Sequence, residues 1–216
     1  MADLLLFVHI GTSSIIYILI YVDNIIIIGS NDVVITDIIQ RLHKEFIIID
    51  LGPLSFFLGI EAIRDATGLY LTQRRYIANL LTKSKMDGAK PCSTPMSTTV
   101  ALTATDTAQF DDPTLYISIV DGLHYLSFTR PDIAFVVHRV SKFMHQPKQS
   151  HWICVKRILH YLKQSISYYL LLSRSSSFTF QAFSDADWAG DTDDHLSVGA
   201  YCVFLGSNLI FWCSKQ

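Results

Sequence analysis

The spacing of apolar positions changes several times along the chain. Residues 15–29 read IIYILIYVDNIIIIG, two β-branched runs, Ile15 to Val22 and Ile25 to Ile28, interrupted only by Asp23 and Asn24. Continuous apolar runs of this length predict two strands buried on both faces. Asp and Asn tolerate turn conformations, so the pair predicts a tight turn between them. A carboxylate then projects from a hairpin tip. Ser30 or Asn31 can cap a following helix, in which Val34, Ile38, Leu42 and Phe46 recur at helical spacing. Leu51-Gly52-Pro53 ends that region. A strand pair is expected from Phe56 to Arg64 and from Leu69 to Gln73, turning at Asp65 to Gly68, and a helix from Tyr76 to Lys83.

Residues 92–113, CSTPMSTTVALTATDTAQFDDP, lack a period and read as a linker. Two helices are predicted after it. One begins at TRPDI, where Pro131 suits the first helical position, and runs to about His145. The other starts at a Ser150 cap and places Trp152, Val155, Leu159 and Leu162 on one face, with Lys156, Arg157 and Lys163 away from it. From Ser177 the period drops to 2. Phe178, Phe180 and Ala182 alternate with polar residues, and VGAYCVFLG and LIFWCSK follow across a turn at Gly206 to Asn208, which predicts a three-stranded antiparallel meander.

Composition sharpens this picture at a few points. Half the residues are hydrophobic and the mean hydropathy is +0.32. The most apolar stretch is nevertheless shorter than the about 20 residues a spanning helix needs. Asp23 at its centre would cost roughly 2.5 to 3.5 kcal/mol on insertion scales. No basic n-region or cleavage site follows Met1, so neither a membrane span nor a signal peptide is expected and an intracellular protein is implied. The net charge of −2 does not mark a nucleic-acid binder as a whole. Charge is uneven, however: no Lys or Arg lies between Lys90 and Arg130, whereas Lys142, Lys148, Lys156, Arg157 and Lys163 cluster without an acid among them. Cys92, Cys154, Cys202 and Cys213 form no CxxC pair and read as reduced thiols, and His145 and His151 have no partners that would make them metal ligands.

The stretch SDADWAGDTDD holds five aspartates from Asp185 to Asp194. It fails the EF-hand pattern, having Ala189 at the fifth loop position and Leu196 at the twelfth. It reads either as a solvated loop or as part of a two-metal phosphodiester site with Asp185 at a strand end.

Taken in order, YVDNIIIIGSND, LGPLSFFLGIE, LTQRRYIANLL, PCSTPM, YLSFTRPDIAF, FMHQP, HWICVKRILHYLK, SDADWAGD and GAYCVFLGSNLIFWCSKQ resemble the reverse transcriptase and RNase H region of copia-type LTR retrotransposon Pol polyproteins over nearly the whole chain. The resemblance implies an α+β fold: a partial reverse-transcriptase palm and primer-grip region (1–91), a linker (92–113), a helical thumb or connection (114–174), and an incomplete RNase H-like three-stranded meander (177–216). In this family the hairpin signature is Tyr-x-Asp-Asp. Asp23 then matches the first catalytic, metal-binding acid and Asn24 stands where the second is expected, a neutral amide oxygen in place of a carboxylate. The implied cofactor is Mg²⁺, two ions that activate the primer hydroxyl and neutralise the leaving pyrophosphate. Phe57, Leu58 and Gly59 correspond to the primer grip. Lys156, Arg157 and Lys163 are implied phosphate contacts to an RNA or DNA template-primer, and Asp185 is the first RNase H acid.

Departures from the family pattern point to an RNA-directed DNA polymerase fragment that is catalytically inactive. Asn24 is one, and DDHLSVGAY, where a Ser-Thr-Ser-Gly run is usual, is another. Ile117 and Asp121 stand where Arg and Gly are typical. Residue 1 falls just before the hairpin, after the expected place of a third palm acid, and residue 216 falls before the RNase H glutamate. Three other outcomes remain open: a non-enzymatic nucleic-acid- or protein-binding remnant, an active enzyme whose missing pieces lie in another chain, and a pseudogene product without function. Unpaired apolar strand edges predict non-specific self-association.

Overall fold

The computed structural model describes residues 4–12, 14–97, 102–103, 108–174, 177–188 and 197–215. The chain divides into two compact units, Met1–Leu54 and Ser55–Gln216, so the break falls inside the stretch read from sequence as one partial palm.

The first unit is a three-stranded antiparallel sheet in the order β1 (Leu4–Ile10), β2 (Ile15–Tyr21), β3 (Asn24–Gly29), followed by helix α1 (Asp32–Glu45). Asn31 caps α1, its side chain accepting from the Val33 N–H, as the sequence allows. Phe46 lies just past the helix end. A Cβ at Gly29, between the sheet and α1, would lie 2.5 Å from Ile16 Cδ1 and 3.3 Å from Ile35, so the Ile16 side chain would have to move. Two expectations need correction. A third strand, β1, precedes the hairpin and pairs with β2. The strands are also not buried on both faces: Ile16 is the single buried apolar residue among those described in this unit, and every residue of β1 is exposed. One helix can cover only one face of the sheet, and the apolar runs leave the rest in solvent.

The second unit opens with a four-stranded antiparallel sheet, β4 (Phe56–Phe57), β5 (Ile60–Arg64), β6 (Gly68–Thr72) and, much later in the chain, β7 (Leu170–Ser173). The stretch expected as one strand from Phe56 to Arg64 is broken by a turn at Leu58 and Gly59. The Asp65 to Gly68 turn is as expected, its Asp65 carboxylate accepting from the Thr67 and Gly68 N–H groups.

Helices α2 (Arg74–Lys83), α3 (Pro113–Leu126), α4 (Ala134–Ser141) and α5 (Gln149–Gln164) carry the core, with Pro131–Ile133 forming a 3-10 turn before α4. Tyr116, Ile119, Leu123 and Leu126 of α3 pack with Val137 and Val140 of α4 and with Val155, Ile158, Leu159 and Leu162 of α5, all fully or almost fully buried. Helix α3 falls in the span that the resemblance implies to be helical (114–174), though the apolar spacing predicts no separate helix there; Asp112 as cap and Pro113 in the first turn announce it. Helix α4 ends at Ser141, short of His145, and α5 starts one residue before the expected Ser150 cap. Its cap is Lys148, whose backbone N–H donates to His151 Nδ1 at 3.0 Å. That bond leaves the neutral ring with Nε2–H as donor, and Thr103 O lies 2.9 Å away. His151 is therefore fully buried, stacked on Phe143, and structural.

The stretch read as a linker is held against this core where it is described. Leu102 is buried, Phe110 stacks on Trp152, and Gln109 bridges to Lys148. The closing strands β8 (Phe180–Ala186), β9 (Gly199–Leu205) and β10 (Asn208–Lys215) form the expected antiparallel meander in the order β10-β9-β8. Strand β10 packs on α4 and beside β7. Trp212 Nε1 donates to Ser127 O at 2.9 Å, and the Asn208 side chain both donates to and accepts from the Ser173 backbone.

Candidate functional site

The hairpin that carries the acid is set by cross-strand pairing. Tyr21 opposes Asn24, Ile20 opposes Ile25 and Leu19 opposes Ile26, so the register matches apolar residues and leaves Val22 and Asp23 as the two-residue turn. The turn therefore sits one residue earlier than the expected Asp23-Asn24, and Asn24 already belongs to β3. Val22 carries the strain, with φ of 50°, a left-handed conformation rare for a β-branched residue. Asp23 and Asn24 are both exposed. They supply one carboxylate and one neutral amide, and no group of three or more His, Cys, Asp or Glu able to hold a metal ion occurs among the described residues. This donor set does not fit a two-Mg²⁺ centre, which is built from several anionic oxygens.

Phe57, Leu58 and Gly59 form a second tight hairpin. Leu58 (φ 47°) and Gly59 (φ 73°) are both left-handed, the combination that a two-residue turn matching strand twist demands. Gly59 also lies against Tyr125 of α3, where a Cβ would come within 3.2 Å of the phenol oxygen.

The basic residues of α5 are not a free solvated face. Arg157 Nη2 donates to Thr94 Oγ1 at 2.7 Å and Lys163 Nζ donates to Asp87 O. Lys156 lines a cleft between α5 and the segment around Lys90 to Ser97. All three are half-buried. Asp185 lies exposed in β8, opposite Ala200, its carboxylate accepting from the Ala186 N–H at 2.9 Å. The Asp187 carboxylate accepts from the Val198 N–H. Asp191, Asp193 and Asp194 lie outside the described residues. Asp23 and Asn24 thus belong to the first unit, and the primer-grip-like turn, the α5 cations and Asp185 to the second.

The most developed polar cluster escaped the sequence reading. Arg130, only 3% exposed, forms a two-pronged pair with Asp132 at 2.9 and 2.6 Å. It also donates to the Ser165 carbonyl and hydroxyl at 3.1 and 2.6 Å. Tyr161 donates to the same carboxylate, and the rings of Tyr161 and Tyr168 flank the guanidinium at 5.5 and 5.4 Å. Burial pulls the Asp132 carboxyl upward, but the hydrogen bonds from Arg130 and Tyr161 outweigh it and hold the group below its ordinary value. The available signal was an Arg and an Asp flanking Pro131, a residue read only as a helix start. The cluster ties the entry of α4 to the end of α5. Its groups are occupied with one another, so it reads as architecture.

The family described as reverse transcriptase (RNA-dependent DNA polymerase) matches residues 2–98. The chain is 44% identical over 215 residues to the Retrovirus-related Pol polyprotein from transposon RE2 of Arabidopsis thaliana, covering 100% of this chain and 15% of that protein. It is 34% identical over 218 residues to the Pol polyprotein from transposon TNT 1-94 of Nicotiana tabacum, covering 97% of this chain and 16% of that one. An uncharacterized mitochondrial protein of Arabidopsis thaliana is 38% identical over 200 residues, or 93% of this chain and 83% of its own length. No solved structure matches. The chain belongs to the copia-type retrotransposon Pol family and is a reverse transcriptase-like part of such a polyprotein. It spans about 15% of the length of the RE1 and RE2 transposon polyproteins that it matches.

Proposed function

We propose that this chain supplies the palm hairpin, primer grip and connection of a copia-type reverse transcriptase, followed by the first strands of an RNase H-like domain, and that its polymerase hairpin is inactive. The observation that carries this reading is the tip of the β2–β3 hairpin. It presents Tyr21, Val22, Asp23 and Asn24 in the order of the family signature, with an amide where the second carboxylate belongs. In an active member, Mg²⁺ bound at such a tip supplies charge neutralisation for phosphoryl transfer. Asp23 alone contributes one anionic arm to that arrangement, and Asn24 contributes an uncharged oxygen that holds a hard cation far less well.

The RNase H reading rests on the β8-β9-β10 meander, with Asp185 in its first strand. The template-primer reading rests on the position of the β4–β5 turn against α3. It draws less from α5, because Arg157 and Lys163 already bond to protein oxygens.

The test is primer extension by the purified chain on an RNA template with Mg²⁺ or Mn²⁺, run beside fluorescence anisotropy with the same labelled duplex. The expected result is duplex binding that weakens with salt and no extension. Extension that disappears in Asp23→Ala would refute inactivity. Absence of salt-sensitive binding would refute the template-primer role.

A further inference from the structure

A cleft of about 510 Å³ lies between the first half of α5 and the segment around Lys90 to Ser97, within the range of small-molecule sites. Pro95, Met96, Leu102, Val136 and Ile153 give it aliphatic walls, and no Phe, Tyr or Trp lines it among the described residues. Lys90, Lys156 and Arg157 also line it, and no carboxylate does among the described residues. Among the described residues the salt bridges involve Arg41, Arg75 and Arg130, so none of these three cations pairs with a described acid. Arg157 uses Nη2 on Thr94, but its Nε is buried with no hydrogen-bond partner. Cationic groups gathered at an apolar cleft without an acid leave a charge that an incoming anion would neutralise.

We propose that this cleft binds a small anion with an aliphatic body, its carboxylate or phosphate meeting Lys156, Lys90 and Arg157 and its chain lying on Val136, Ile153 and Met96. An unpaired nucleotide fits less well, because base binding relies on aromatic stacking platforms and the described walls offer only the His160 ring, whose Nδ1 is tied to the Lys90 carbonyl oxygen. Every residue named in its lining belongs to the second unit.

The chain carries its own reporters. Cys92 and Cys154 line the cleft, whereas Cys202 and Cys213 sit in β9 and β10, and all four are free thiols. Hydrogen bonding with the Thr94 backbone, helped by the neighbouring Arg157, holds the Cys92 thiol below its ordinary value despite some desolvation, which favours its alkylation. Burial holds Cys154 above its own.

The experiment measures iodoacetamide labelling of each cysteine in the native chain by peptide mass spectrometry, with octyl phosphate, octanoate, octyltrimethylammonium, inorganic phosphate or a short single-stranded oligonucleotide added. At a ligand concentration four times Kd, occupancy leaves one site in five free, so labelling of Cys92 and Cys154 should slow about fivefold while Cys202 and Cys213 are unaffected. Protection by octyl phosphate, by octanoate or by both supports the proposal and identifies the headgroup. Lys156→Glu and Lys90→Glu, checked for an unchanged melting temperature, should each abolish it. The proposal is overturned if neither amphiphile protects the two cleft thiols selectively. It is equally overturned if octyltrimethylammonium or inorganic phosphate protects as well, if only the oligonucleotide does, or if both charge reversals retain protection.

Discussion

Replacing Arg130 by Met removes the centre of the buried polar cluster while keeping a long apolar stem. The Asp132 carboxylate is left with the Tyr161 hydroxyl as its side-chain donor, and the Ser165 carbonyl and hydroxyl lose theirs. Breaking a fully buried ion pair costs about 3 to 5 kcal/mol, because one charge stays behind unpaired. The Asp132 side chain is 33% exposed, so water recovers part of that cost, as it does for surface pairs. The stranded Ser165 acceptors add to it. A loss of about 3 kcal/mol results, or roughly 150-fold in the folded-to-unfolded ratio, since about 1.4 kcal/mol is tenfold. For a unit of this size it lowers Tm by about 6 to 12 °C. Trp152, Trp188 and Trp212 all lie in the second unit, so tryptophan fluorescence follows that unit's unfolding.

The discriminating comparison is a double-mutant cycle. Arg130→Met with Asp132→Leu removes both charges and should cost at least about 1.5 kcal/mol less than the sum of the single changes. Arg130→Lys keeps the charge but loses the planar fork, and should fall between wild type and Met. A Tm shift under about 2 °C for Arg130→Met, or strict additivity in the cycle, would refute the assignment of this cluster as a stabilising unit.

The pH profile provides a second check. The folded pKa of Asp132 lies below its unfolded value near 3.8, so its contribution is fully present above that pH and is lost as pH falls through the folded pKa; Asp132→Asn should flatten the acid limb of an equilibrium unfolding series. His124 is held below 6.5 by burial, against the opposing pull of Asp121. The unfolded chain therefore takes up a proton first, stability drops as pH falls below about 6.5, and His124→Gln should reduce that drop. Gly68→Ala should lower the urea midpoint, at a cost of about 2 kcal/mol, because its Cβ would lie 2.3 Å from the Leu172 carbonyl oxygen and force β6 from β7; an unchanged midpoint would contradict the close approach. Leu4, Leu6, Phe180 and Phe183 are exposed in strands at sheet edges, so sedimentation velocity should detect self-association that Leu6→Lys and Phe180→Lys diminish.

What the sequence disclosed, and what it hid, follows from how far apart the determinants lie. The hairpin, the Asn31 cap and the closing meander depend on neighbours a few residues away, and their patterns could be read directly. The Val22-Asp23 turn was misplaced by one residue because turn preference favours Asp-Asn, while pairing of Leu19 and Ile20 with Ile26 and Ile25 across the strands overrides it. The start of helix α3 is hidden because its cap and first turn, Asp112 and Pro113, close a Ser-, Thr- and Ala-rich stretch that has no period. Strand β7 pairs with β6 across about a hundred residues of chain, which no local pattern records. The α5 cations were legible as a basic face. Their bonds to Thr94 and Asp87 were not, since those partners lie in a separate loop.

The burial of Ile16 alone among the described residues of the first unit, against the dense helical core of the second, separates two kinds of information in this chain. A change from Asp to Asn at exposed position 24 removes a charge that chemistry needs but touches nothing that folding needs; surface changes of this kind usually move stability by less than about 0.5 kcal/mol. Cellular quality control responds to unfolded fractions, so it has no means to distinguish the competent hairpin from the altered one. On the proposed reading, the fold can then persist in a lineage whether or not its polymerase chemistry does.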